Sequence, residues 1–334
     1  MSETVAEFMQ KPVKKYACGK RVEQAKKTLM NAFTASSKRK AAEEKTIFEK
    51  IIDIVNKTPT GRETLKNLSK TGCTFHLEAL SGNLGGFFNP DKNKLVVNRN
   101  MDLDGMASLL VHEGTHACQW SLRTEKDSTW YYAVDSHYRD VRGQEADACA
   151  HQTAFHYECK TAHPSLYQDF KQNPLYAPLL NAYEGEMEKS GDSGKAMQKT
   201  FAAWYENVDM MNIYDGYIKG DIKNTCDRFG KDYSGLFSKE RPSENIVRKF
   251  RHHGKQYISA DFLNKGKAFS IKPRDKQEIY ATMIDYARVS KGKADLSVLK
   301  MNDRTEDGKL IPPRNKTAKT VQAAAVAKAK RQGR

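Results

Sequence analysis

The 334-residue sequence contains no run of about 18 apolar residues, so no membrane-spanning helix is expected. The first twenty residues, MSETVAEFMQKPVKKYACGK, lack an apolar core segment, so no conventional secretion signal is expected there. There is no C-x-x-C pair either. The six cysteines are Cys18, Cys73, Cys118, Cys149, Cys159 and Cys226, and their scatter argues against a disulfide framework and for reduced, buried thiols. Together these absences suggest synthesis in a cytoplasm, with export by a route needing no apolar signal left open. No internal repeat is evident. The 39% hydrophobic and 29% charged fractions suit a globular chain with a sizeable core.

Acidic charge is also in short supply overall. The formal net charge is +15, which raises nucleic acid as a partner. The excess is unevenly placed, however. Residues 101–160 hold ten acids against five bases, a local balance of −5. The basic excess also lacks the interleaved aromatics that stack on bases, so a solubilising lysine-rich surface is the favoured reading over a nucleic-acid footprint.

Periodicity divides the chain into four parts. Residues 1–57 read as a leader followed by a helical segment from about Arg21 to Lys57, with Ile47, Ile51, Ile54 and Val55 on one face. Residues 58–160 read as a core of strands and helices. In it TPTGRETLKNLSKTG gives a turn, a short helix and a stop at Gly72. The alternation in CTFHLEAL predicts a strand, and SGNLGGFFNPDKNKLVVN predicts a β-hairpin. A helix capped by Asp102 or Asp104 should run to about Leu122, and a second long helix should begin after Gly143. Residues 161–301 read as helical and packed on this core. Residues 302–334 read as a basic, disordered tail. The fold class expected is α+β, mostly helical, with a small antiparallel sheet packed on the helix that carries LLVHEGTHACQW.

That stretch carries the chemistry. His112 and His116 are four apart, which puts both imidazoles on one helical face within reach of one Zn²⁺. Glu113 follows the first histidine, where a carboxylate can take a proton from a metal-activated water. Random placement of this spacing would give roughly 0.014 matches per chain, so chance is the minor reading. A catalytic zinc usually has three protein ligands. The extended pattern H-E-x-x-H-x-x-G-x-x-H fails, because Gln119 and Leu122 stand where its glycine and last histidine would be. GQEADACAHQ offers Glu145, with Ala148, Cys149 and Gln152 on its face of the second helix. His137, His151, His156 and Asp147 are the alternatives. Asp147 lies about 200° from Glu145 around the helix, so both cannot reach one ion; a bond from Asp147 to a ligand histidine's other ring nitrogen is the weaker alternative.

KLVVN and LGGFFN suggest a sheet edge to which an extended peptide could add as a strand. Tyr131, Tyr132, Tyr138 and Tyr157 are candidates for stabilising the oxyanion, and spacing does not choose among them.

With those residues in view, the chain resembles the zincin metallopeptidases in their gluzincin arrangement. VHEGTHACQ and QEADACAHQ, preceded by TPTGRETL, TFHLEA and GGFFNPDKNKLVVN, are similar in order to small bacterial effector-type metallopeptidases. The resemblance spans about residues 58–158. It implies His112, His116 and Glu145 as zinc ligands, Glu113 as general base, and a zinc endopeptidase acting on proteins or peptides. The N-E-x-x-S-D form of the third-ligand motif is absent. A zinc hydrolase of a non-protein amide, a basic nucleic-acid-associated protein with an accessory metal site, and an interaction protein with a vestigial site are the other readings. Oligomeric state is not legible.

Overall fold

The computed structural model describes residues 38–82, 84–123, 132–229, 236–290 and 301–312. The leader, the helical expectation for Arg21–Ser37, Cys18, Tyr131 and residues 313–334 lie outside the described residues; the tail expected to be disordered from Asn302 is ordered over its first part, with strands at Asn302–Arg304 and Leu310–Ile311 that pair in a small sheet.

In chain order the elements are α1 (Lys38–Val55), α2 (Pro59–Leu68), β1 (Thr74–Glu78), β2 (Gly86–Asn89), β3 (Lys94–Asn98), α3 (Leu103–Ser121) and α4 (Val134–Ala162). There follow α5 (Pro164–Gln172), α6 (Ala177–Ser190), α7 (Ser193–Glu206), α8 (Val208–Phe229) and α9 (Ser243–Val247). The rest is β4 (Arg251–His252), β5 (Lys255–Gln256), α10 (Ala260–Leu263), β6 (Ser270–Ile271), α11 (Pro273–Ser290), β7 (Asn302–Arg304) and β8 (Leu310–Ile311). This is a mostly helical α+β protein with small sheets. No described helix is long and apolar enough to cross a membrane.

The chain divides into two compact units. The first comprises Met1–Arg123, Gln144–Ala203 and Lys249–Tyr257; the second comprises Thr124–Gly143, Trp204–Arg248 and Ile258–Arg334. Helix α4 therefore contributes its first ten residues to the second unit and the remainder to the first.

In the first unit, α1 buries Phe48, Ile51, Ile52 and Val55. Helix α2 starts with a well-made cap: Pro59 occupies the first turn, and Thr58 Oγ1 accepts from the Gly61 N–H at 2.9 Å. The sheet order is β1-β3-β2. The β2–β3 pair is antiparallel, as a hairpin requires, with Gly86 opposite Val97 and Asn89 opposite Lys94. The β1–β3 pair is parallel, so the sheet is mixed and not wholly antiparallel. The reason lies in β3: Leu95, Val96 and Val97 are all buried, so this strand is covered on both faces and takes the central place. That leaves β2 on an edge.

Helix α3 begins at Asp102, whose side chain accepts from the Gly105 N–H at 2.7 Å. It is buried almost all round, not along one stripe: Met106, Leu110 and Val111 are buried, and so are Ser108, His112, Glu113, Thr115 and Gln119. It packs closely on α2 at Gly114, where a Cβ would meet Thr64 Cγ2 at 3.1 Å and Leu68 Cδ2 at 3.3 Å. Cys73, Cys118, Cys149, Cys159 and Cys226 are free thiols.

The second unit has its own core of Val134, Tyr138, Ile218, Ile222, Ile271 and Ile279. It also buries charge. Arg142 meets Asp215 at 2.7 Å and donates to the Ser270 carbonyl at 2.6 Å, and Arg304 pairs with the same aspartate.

Candidate metal centre

Buried polar residues on a central helix must find partners, and those on α3 find them on α4. His112 Nε2 and His116 Nε2 lie 3.2 Å apart. Glu145, on α4, places Oε2 3.5 Å from His112 Nε2 and Oε1 3.5 Å from His116 Nε2. Two imidazoles and a carboxylate thus converge within a single small volume.

The other ring nitrogens explain why the Nε2 atoms face one another. His156 Nδ1 lies 2.8 Å from the Leu166 carbonyl, which can only accept, so Nδ1 carries the proton. His156 Nε2 then accepts from Ser108 Oγ at 2.7 Å. Ser108 Oγ in turn accepts from Gln152 Nε2 at 2.8 Å. Gln152 Oε1 is left to accept from His112 Nδ1, at 3.3 Å the longest link. The chain of bonds has one direction, and it leaves the lone pair of His112 on Nε2. His116 is fixed in the same way. Gln119 Nε2 donates to Asp147 Oδ2 at 2.6 Å and to the Gln144 carbonyl at 3.0 Å, so Gln119 Oε1 accepts from His116 Nδ1 at 3.0 Å. Asp147 also accepts from the Tyr257 hydroxyl at 2.6 Å.

Two imidazole lone pairs 3.2 Å apart beside a carboxylate repel one another unless a cation lies among them. The electrostatics say the same in protons. Burial lowers the basicity of His116, but the charge of Glu145 and its hydrogen bond outweigh this and push the pKa up to about 9. Burial works against the charge of Glu145, and the two histidines more than offset it, holding the carboxyl well below its usual range. Ligands about 2.0–2.2 Å from one tetrahedral ion would stand roughly 3.3 Å apart, close to the 3.2 Å between the two Nε2 atoms. The residues present fit a metal ion with two nitrogen ligands and one oxygen.

Glu113 lies at the flank. The Phe88 N–H, on edge strand β2, donates to its Oε2 at 2.9 Å. Its Oε1 makes no hydrogen bond among the described residues. Strand β2 can come this close because residue 86 is glycine: a Cβ there would meet the Val96 carbonyl oxygen at 2.3 Å and Leu109 Cδ2 at 2.5 Å.

The family described as "Putative metallopeptidase family (DUF6782)" matches residues 23–228, more than half of the chain. The chain belongs to this family. The match includes His112, Glu113, His116 and Glu145, and membership carries a metal cofactor and peptidase chemistry at the level of the family. No curated protein matches the chain, and no solved structure does.

The remaining candidates are placed elsewhere. His137 pairs with Asp221 at 3.1 Å in the second unit. His151 bonds the Asp147 and Arg251 carbonyls at 2.9 and 3.1 Å, and His156 ends the Ser108 chain. Among the described residues, Asp147 reaches His116 through Gln119. Tyr132 and Tyr138 are buried in the second unit, under Arg241 and Arg142 respectively, and Tyr157 packs on Tyr183 with centroids 5.0 Å apart. The tyrosine that does feel the cluster is Tyr176, at the start of α6. Its phenol is pushed up by burial, then by Cys149, Glu145 and Glu113. Spacing could not reveal it, because it lies 31 residues beyond Glu145 in the sequence. Gln119 was open to discovery at three positions beyond His116, one turn on along the same face.

Proposed function

We propose that the protein is a zinc-dependent endopeptidase in which His112, His116 and Glu145 hold Zn²⁺ and Glu113 is the general base. The observation that carries this reading is the convergence of two Nε2 lone pairs and a carboxylate, with both Nδ1 atoms committed as donors. Two imidazoles and one carboxylate suit zinc among the common divalent ions. A bound Zn²⁺ would acidify water and polarise the scissile carbonyl.

The chain's own groups supply the rest. The Phe88 amide fixes one oxygen of Glu113, leaving the other to take the proton from the attacking water and pass it to the leaving amine. Strand β2 is the outer strand of its sheet, so an extended peptide can add to it beside Glu113.

The test is Glu113→Gln assayed on unfolded protein and on a mixed peptide library. Cleavage should fall by roughly 10²–10⁴-fold while metal content stays at the wild-type level. Wild-type turnover by that variant would reject the mechanism. Intact substrates with zinc-loaded wild type would reject the peptidase reading in favour of a non-protein amide.

A further inference from the structure

A second pair of histidines and a glutamate, none of them shared with the centre just described, come together in the first unit. Strands β4 and β5 form a two-residue hairpin whose turn residues, His253 and Gly254, both have positive φ, +50° and +74°. Such turns take asparagine and glycine most readily, so a histidine here carries some backbone cost. The conformation sets His253 against α2: its Nδ1 lies 2.8 Å from Glu63 Oε2, and its own N–H donates to the same oxygen at 3.1 Å. His252 lies alongside, with ring centroids 3.9 Å apart.

An exposed His–Glu pair alone would be a surface ion pair of little consequence. His252 argues for more. It is only 4% exposed, and its Nε2 is engaged by Ser193 Oγ at 3.1 Å. Its Nδ1 is buried and has no hydrogen-bond partner among the described residues. A buried polar atom left unmatched is costly and calls for an explanation, which a bound ion would supply here. One donor atom from each of His252, His253 and Glu63 lies within 4.8 Å of the others.

We propose that Glu63, His252 and His253 bind a second divalent ion of the zinc class. The donor set is again two imidazoles and a carboxylate, and the half-exposed side of His253 admits water to complete the shell. The three residues use up the only carboxylate of the cluster, which leaves none to act as a base. The ion therefore serves as a clamp holding the β4–β5 hairpin to α2. The residues just around that hairpin also touch the helix that carries Glu145, through the Arg251 carbonyl to His151 and the Tyr257 hydroxyl to Asp147. His252 and His253 lie beyond the residues matched by the family.

The test is titration of metal-stripped full-length protein with Zn²⁺, with Co²⁺ absorption as an independent readout. Wild type should take up two equivalents. His253→Asn, which suits the turn, should lose one of them, and Glu63→Gln should weaken the same one at least tenfold. His112→Ala should keep the equivalent that His253→Asn loses. Retention of two equivalents with unchanged affinity in His253→Asn, or a single wild-type equivalent abolished by His112→Ala, overturns the proposal. Loss of no metal in His112→Ala would count against the catalytic centre instead and leave this site standing.

Discussion

The two histidines proposed as ligands depend on side chains that would not touch the metal. Among the described residues, Gln119 and Gln152 are the partners that orient His116 Nδ1 and His112 Nδ1. Gln119→Leu should therefore lower zinc affinity by roughly 10–100-fold, measured by competition with a chromophoric chelator. The variant also strips a donor from buried Asp147, so a folded far-UV spectrum is needed alongside. Unchanged affinity would mean that packing, not the amide, sets the ring. A pH effect belongs to the end of the other chain of bonds. Burial pushes the His156 imidazole down to about 4, against the Leu166 bond and the Asp104 charge, which raise it. Unfolded, the ring titrates near the usual 6.5. Between those values the unfolded chain binds more protons, so stability is whole above about pH 6.5 and is lost as pH falls toward 4. The expected loss is about 3 kcal/mol. Urea midpoints at pH 7.5 and 4.5 should converge in His156→Gln relative to wild type; an equal drop in both proteins would assign the acid sensitivity elsewhere. At this scale the sequence was partly legible. His112, Glu113 and His116 announce themselves by helical spacing, whereas Tyr176 and Tyr257 come to the cluster only through tertiary folding.

Elements bring these residues together, and two of them behaved differently from their sequence signals. Gly143 reads as a helix entry, yet α4 begins at Val134 and runs through it. A mid-helix glycine costs only about 1 kcal/mol, and the anchoring of neighbouring Arg142 on Asp215 outweighs that. Helix α3 reads as amphipathic but is buried nearly all round, because its polar residues face partners on α4 and β2 rather than solvent. The hairpin of β2 and β3 was legible from its turn, NPDKNK; the parallel neighbour β1 was not, because alternation shows which face is buried but not which strand lies beside it. The close seat of β2 gives a prediction of its own. Gly86→Ala must displace either the Val96 carbonyl or Leu109, and with it the Phe88 amide that fixes Glu113. Overpacking of this kind costs about 1–3 kcal/mol. Peptide turnover should fall further than stability explains, with metal content unchanged. Wild-type kcat in a folded Gly86→Ala protein would detach β2 from the proposed general base.

At the scale of the whole molecule, charge ties distant segments together as well as setting the net balance of +15. Arg142, Arg241 and Arg304 are among the largest fully buried side chains. They are matched inside the second unit by Asp215 and Asp140. These pairs tie segments far apart in sequence, residues 142, 215 and 304, into one unit, and Asp215 serves both guanidiniums. Taking a counter-ion out of such a network leaves buried charge uncompensated, which is costlier than never having had the pair. Asp215→Asn keeps the shape and removes the charge. It should destabilise the second unit by about 3–5 kcal/mol, read from urea unfolding followed by fluorescence of Trp204, a fully buried residue of that unit. Asp261→Asn, a change in an exposed carboxylate paired with Lys265, supplies the control and should move the midpoint little. If the two variants unfold alike, the buried arginines are compensated by other acceptors and the second unit does not depend on Asp215.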